Sequence, residues 1–233
     1  MKIKIKEIMV FLKNIGTIIF ITWLIGLFIE FPIAFPGIKN SIFRILLGIV
    51  FYLIEIVGLY YFGNWMKKER GDKSFRSNVK IRNLWSKRTW IIVCLCLLIA
   101  LTVVFVYEHI IMWIDVSETA NDQVFSKYNQ SGSVLFLSSV VLFGPICEEI
   151  LYRHCFFSFV NFGQYLNKYW LVLSVIINGT FFAFLHSGCN LVPFIYYSLI
   201  GITLASCYVL NDGDVKTSIL VHIIGNTIIT FFF

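Results

Sequence analysis

Two adjacent glutamates, Glu148 and Glu149, stand in Cys-Glu-Glu-Ile-Leu-Tyr-Arg, inside a stretch apolar enough to cross a bilayer. A carboxylate at the centre of a membrane costs at least about 2.5 kcal/mol, so acids placed there mark working sites more often than structural ones. Two further polar pairs follow in later apolar stretches, Phe182-x-x-x-His186 and His222-x-x-x-Asn226. Together with Arg153 they supply two acids, two imidazoles, one carboxamide and one guanidinium at membrane depth. Enzymes, pumps and transporters are the membrane proteins that need such a set.

Spacing assigns these groups to helix faces. Glu149 and Arg153 are four residues apart, share a face and can form an ion pair. Glu148 points about 100° away, towards a different neighbour. One carboxylate is thus held while the other is left for proton transfer. The competing reading has Arg153 snorkelling to an interface and the glutamates satisfying packing contacts; two adjacent acids are costly for that purpose. His222 and Asn226 share a face and can bind a water, a metal ion or a developing oxyanion, or can join helices by hydrogen bonds. His186 closes its apolar stretch, where a histidine taken alone reads as an interface residue. Asn178 and Thr180 read as helix–helix contacts.

These groups need a membrane scaffold, and composition supplies one. Of 233 residues, 58% are hydrophobic and 14% charged, with 24 phenylalanines, whereas soluble domains carry about a quarter charged residues. The fold expected is all-α, a polytopic transmembrane bundle. A span needs about 20 apolar residues, which predicts seven, at 9–34, 42–66, 89–114, 134–158, 168–187, 190–210 and 215–233. Residues 1–133 read as a membrane framework of three spans and a basic loop, and residues 134–233 as a four-helix catalytic core. The charged N-terminus, Met-Lys-Ile-Lys-Ile-Lys-Glu, resembles the n-region of a signal peptide. No small-residue cleavage site follows, so the first span is expected to be retained.

The net charge of +6 reports topology rather than nucleic-acid binding. Lys2, Lys4, Lys6 and Lys13 cluster at the N-terminus, and nine basic residues fill the loop from Lys67 to Arg88. Both segments are expected on the cytoplasmic side, against anionic lipid. The loop from Asp115 to Ser133 carries Asp115, Glu118 and Asp122 against Lys127 and is expected outside. Glu30, Glu55 and Glu108-His109 lie near span ends or stand alone. The six cysteines form no Cys-x-x-Cys pair and read as packing residues. Gly144-Pro145 is expected to kink the fourth helix. On straight helices Glu148 and His222 would lie in the cytoplasmic half and His186 nearer the outer end, unless such a break, or a fifth helix beginning later than residue 168, brings them level.

The ordered trio Glu148-Glu149-x-x-x-Arg153, Phe182-x-x-x-His186 and His222-x-x-x-Asn226 resembles the CAAX prenyl protease and bacteriocin-processing (CPBP, Abi) family of intramembrane endopeptidases, over roughly residues 134–230. The resemblance implies a helical bundle with a polar intramembrane cavity that hydrolyses peptide bonds. Position by position, Glu148 would activate water with the aid of His186. His222 and Asn226 would stabilise the oxyanion, and Glu149, held by Arg153, would shape the site. Family members are described both as metalloproteases and as metal-free glutamate-dependent enzymes. A divalent metal such as zinc on Glu148, His186 and His222 is therefore one expectation. Asn226, a poor zinc ligand, favours the metal-free version. The resemblance further implies a bacterial protein of the multi-pass cell-membrane kind, and the basic segments put its N-terminus on the cytoplasmic side. Its substrate would be a membrane-associated or lipidated peptide, in bacteriocin maturation or self-immunity.

Other proteases fit less well. The chain has no His-Glu-x-x-His, Asn211-Asp212-Gly213-Asp214 falls in a loop, and Ser131-Gly132-Ser133 lies outside a span. Two non-proteolytic readings compete: a non-catalytic immunity or scaffold protein that binds a peptide toxin or receptor, and a proton-coupled transporter. No inverted pair of broken helices supports the transporter.

Overall fold

Seven helices account for the regular structure among the described residues, with no strand. A computed structural model describes residues 15–21, 41–69, 86–114, 134–160, 168–188 and 190–232, and the isolated positions Met9, Leu12 and Lys13. The N-terminal lysines 2, 4 and 6, most of the basic loop, Glu30, the acidic loop and Ser131-Gly132-Ser133 lie outside these residues. We number the helices α1 (15–21), α2 (Ser41–Glu69), α3 (Lys87–Ile111), α4 (134–160), α5 (Lys168–Ser187), α6 (Leu191–Leu210) and α7 (Val215–Phe232). Their positions follow the apolar stretches anticipated above. Four contain windows long and apolar enough to cross a membrane: Ile45–Met66, Lys87–Ile111, Leu191–Leu210 and Val215–Phe232. Their lipid-ready surfaces carry large apolar side chains, such as Leu53, Ile54, Leu98 and Ile99.

α4 departs from a straight helix. Its α-helical turns Val134–Ser138, Gly144–Glu149 and Phe156–Val160 alternate with π-helical segments at Ser139–Phe143 and Ile150–Cys155. Each π segment widens the ladder to i→i+5 bonds and re-aims the residues beyond it. The first closes when the Gly144 N–H donates to the Ser139 carbonyl. A Cβ on Gly144 would sit 2.8 Å from that oxygen, so the turn requires glycine. The anticipated break at Gly144-Pro145 is thus a π turn leading directly into the two glutamates.

α2 grips α4 along its length. The Tyr52 hydroxyl lies 2.6 Å from Ser139 Oγ, the Cys155 thiol donates to the Leu59 carbonyl, and His154 Nε2 meets Asn64 Oδ1 at 3.1 Å. Tyr60 stacks on the His154 ring. Between these rungs, Tyr52, Leu59 and Met66 pack against Cys147, Leu151 and Cys155 in one buried cluster.

α5 and α6 form the tightest helix pair. Gly179 and Gly201 face each other so closely that a Cβ on Gly201 would lie 2.8 Å from the Gly179 carbonyl oxygen, and one on Gly179 would lie 2.5 Å from the Ile202 nitrogen. Small residues let membrane helices approach in this way. Gly188, at φ +60°, ends α5 in the left-handed conformation, and its N–H donates to the Phe184 carbonyl. The expected tight turn between the fifth and sixth spans follows. α3 is tied to the α6–α7 turn through Thr89 Oγ1, which donates to Asn211 Oδ1, and through Arg88 Nη2, which donates to the Leu210 carbonyl.

This packing predicts that Gly201→Val, which forces side chain into backbone, destabilises the protein by about 3 kcal/mol. Gly58→Ala in α2, where a Cβ meets nothing within 4 Å, leaves stability unchanged or raises it. Thermal unfolding of both variants in detergent checks the pair.

Candidate active site

Three helices bring the sequence-predicted residues together. From α4, Glu149 and Arg153 are both fully buried and approach at 3.3 Å between Oε2 and Nε. The contact is electrostatic rather than an aligned hydrogen bond, since neither atom has a hydrogen-bond partner. α5 completes the guanidinium's surroundings. Arg153 Nη1 donates to Asn178 Oδ1 at 2.7 Å, the Asn178 amide donates to the Tyr152 carbonyl, and Arg153 Cζ lies 5.1 Å from the centre of the Phe182 ring. Asn178, read from sequence as a helix contact, is therefore also the partner that lets an arginine stay buried. Phe182 contributes its face to the cation.

α7 supplies His222 to the other side of Glu149, with Nδ1 3.0 Å from Oε1. The carboxylate beside Arg153 accepts, so Nδ1 carries the hydrogen and Nε2 points the other way. Nε2 lies 3.9 Å from Glu148 Oε2. His186 mirrors this arrangement from α5. Its Nδ1 meets the Phe182 carbonyl at 2.9 Å, and a carbonyl only accepts, so Nδ1 again carries the hydrogen. His186 Nε2 faces Glu148 Oε2 at 3.7 Å. Glu148 is 21% exposed and His186 17%, against complete burial of Glu149 and Arg153. One glutamate is locked and the other is open, as their 100° separation anticipated.

The unequal depths expected of straight helices do not occur, because Glu148, His186 and His222 meet within 4 Å. The reason is the interrupted course of α4, whose glutamates sit between two π segments. Asn226 is also accounted for: its Nδ2 donates to the Val140 carbonyl at 2.9 Å. In a π turn that carbonyl would bond residue 145, which is proline and has no N–H, so the carboxamide supplies the missing donor.

Sequence reading missed three neighbours. Tyr197 of α6 packs its ring 5.1 Å from His186, and Tyr52 braces the π turn. Glu55, set aside as a lone acid, lies against the Cys147 thiol beside Glu148. Tyr52 and Glu55 lie three apart in α2 but match no motif, and Tyr197 stands beside Tyr196 in an aromatic stretch of α6. Glu148 Oε2 and the two Nε2 atoms are donor types that hold zinc, and both imidazoles have Nδ1 fixed as metal-ligating histidines do. Their separations of 3.7 and 3.9 Å leave no group of three such side chains placed to grip a cation among the described residues.

The buried pair makes a stability prediction. Arg153→Leu strands Glu149 in the interior and costs about 3–5 kcal/mol. The double variant Glu149→Leu/Arg153→Leu is less destabilised than Arg153→Leu alone, as unfolding in detergent would show.

Of three comparisons with known proteins, one finds a match. Residues 130–228 match the family model for Type II CAAX prenyl endopeptidase Rce1-like proteins. No curated protein and no solved structure shows a significant match to the chain. The matched segment runs from just before α4 into the last turns of α7 and contains all six residues described above. Residues 130–228, set among helices apolar enough to cross a membrane, are thus similar to the Rce1-like, type II CAAX prenyl endopeptidase family.

Proposed function

We propose that the protein is an intramembrane endopeptidase in which Glu148 and His186 activate a water molecule for attack on a peptide carbonyl. The observation that carries this reading is the convergence of Glu148 Oε2 with two Nε2 atoms at 3.7 and 3.9 Å, separations that suit a bridging water. Water donates one proton to Glu148, hydrogen-bonds to His186 and attacks the carbonyl carbon. Asn226, and His222 when its Nε2 is protonated, donate to the oxyanion. The proton on Glu148 passes to the leaving nitrogen, the C–N bond breaks, and the new carboxyl and amino termini depart. Glu149 holds His222 through Nδ1 and is itself held by Arg153. To hold a divalent ion, which would supply Lewis-acid chemistry, Glu148, His186 and His222 would have to draw closer together than they stand here.

The substrate we propose is a membrane-associated or lipidated peptide, entering from the bilayer. From the family resemblance we assign a role in bacteriocin maturation or self-immunity, in a bacterial cell membrane with the N-terminus cytoplasmic. The basic N-terminus and the 67–88 loop support that orientation.

Cleavage of labelled CAAX-type and bacteriocin-precursor peptides by the purified protein in proteoliposomes tests the reading. Glu148→Gln and His186→Ala, with normal membrane insertion, are expected to lower kcat by about 10²–10⁴-fold. Full cleavage by both variants would overturn the Glu148–His186 mechanism, and no cleavage by the wild-type protein would leave a non-catalytic binding or immunity protein. Chelator treatment with metal analysis is expected to leave the wild-type rate unchanged, and loss of activity restored by zinc would replace metal-free water activation.

A further inference from the structure

The π turn before the two glutamates is held from outside the family-matched segment. Tyr52 of α2, fully buried, touches both ends of that turn. Its hydroxyl lies 2.6 Å from Ser139 Oγ at the start, and its ring stacks on Phe143 at the end, 5.0 Å between centres and 4° from parallel. Ser139 is also the residue whose carbonyl closes the turn with the Gly144 N–H. The next carbonyl, Val140, is the one that fixes the Asn226 amide at 2.9 Å. The chain of contacts therefore runs Tyr52, Ser139, the π turn, Val140 and Asn226.

We propose that Tyr52 is a positioning residue for Asn226, setting the π turn whose Val140 carbonyl aims the carboxamide at the reacting carbonyl. This rests on the role given to Asn226 under Proposed function. A π turn carries an extra residue relative to an α turn and reverts to α-helix when nothing favours it. Reversion would carry the Val140 carbonyl away from Asn226. Tyr52 favours the π form by matching the separation of Ser139 and Phe143. α2 thus belongs to the catalytic unit even though it carries no motif.

Tyr52→Phe keeps the ring stack and removes only the hydroxyl, and Ser139→Ala removes its partner. In the proteoliposome assay, each is expected to lower kcat about fivefold to tenfold, the effect of one neutral hydrogen bond, with KM unchanged. The double variant is expected to fall no further than either single one. Adding Tyr52→Phe to Asn226→Ala is expected to have no additional effect. Wild-type kcat in Tyr52→Phe and Ser139→Ala overturns the proposal, as does a Tyr52→Phe loss that persists at full size on top of Asn226→Ala. Failure of the underlying reading is distinct: Glu148→Gln would then keep full activity, and the proposal falls with it.

Discussion

The structure depends on how an ion pair is kept inside a bilayer-spanning protein. Glu149 and Arg153 are both fully buried, and each ion taken from water costs several kcal/mol that their mutual attraction only partly returns. Everything nearby offsets that cost. Asn178 accepts from Arg153, Phe182 lies under the guanidinium, and His222 donates to Glu149. Two of these partners come from α5 and one from α7, so the pair determines how three helices meet. It also fixes which nitrogen of His222 faces the open glutamate. A stability problem and the proposed chemistry therefore share one solution.

The second constraint is backbone geometry. Adjacent glutamates on a regular helix face different ways, and their histidine partners sit on different helices. The π segments flanking Gly144–Glu149 allow Glu149 to lie in the core while Glu148 faces both imidazoles. Gly144 and Pro145 have complementary parts in this. Glycine admits the close Ser139 carbonyl, and proline leaves Val140 without a helical donor for Asn226 to replace. α2 braces the segment from behind, through contacts with Ser139, Cys155 and His154.

Much of this was legible in the sequence, for definite reasons. Glu149–Arg153 and His222–Asn226 are four apart, so each pair had to share a face whatever the tertiary structure. Apolar length located the helices, and the Gly144-Pro145 dipeptide marked a break. The π form of that break was not legible, because no residue pattern separates a π turn from a kink. The convergence of Glu148, His186 and His222 goes with that form and was hidden with it. Tyr52, Glu55 and Tyr197 escaped because a tyrosine or an acid outside any motif looks the same in an apolar helix whether it meets lipid, a headgroup or an active site. Asn178 was visible as a helix contact, but its service to Arg153 depends on α5 packing beside α4.

The central claim is that a water positioned by Glu148 attacks the substrate directly. Turnover in heavy-oxygen water, with mass spectrometry of the products and of the enzyme fragment containing Glu148, tests it most directly. The account predicts one solvent oxygen in the new carboxyl terminus of the cleaved peptide and none in the Glu148 side chain. Label accumulating in Glu148 would reveal a covalent acyl intermediate and contradict it, as would intact peptide after prolonged incubation.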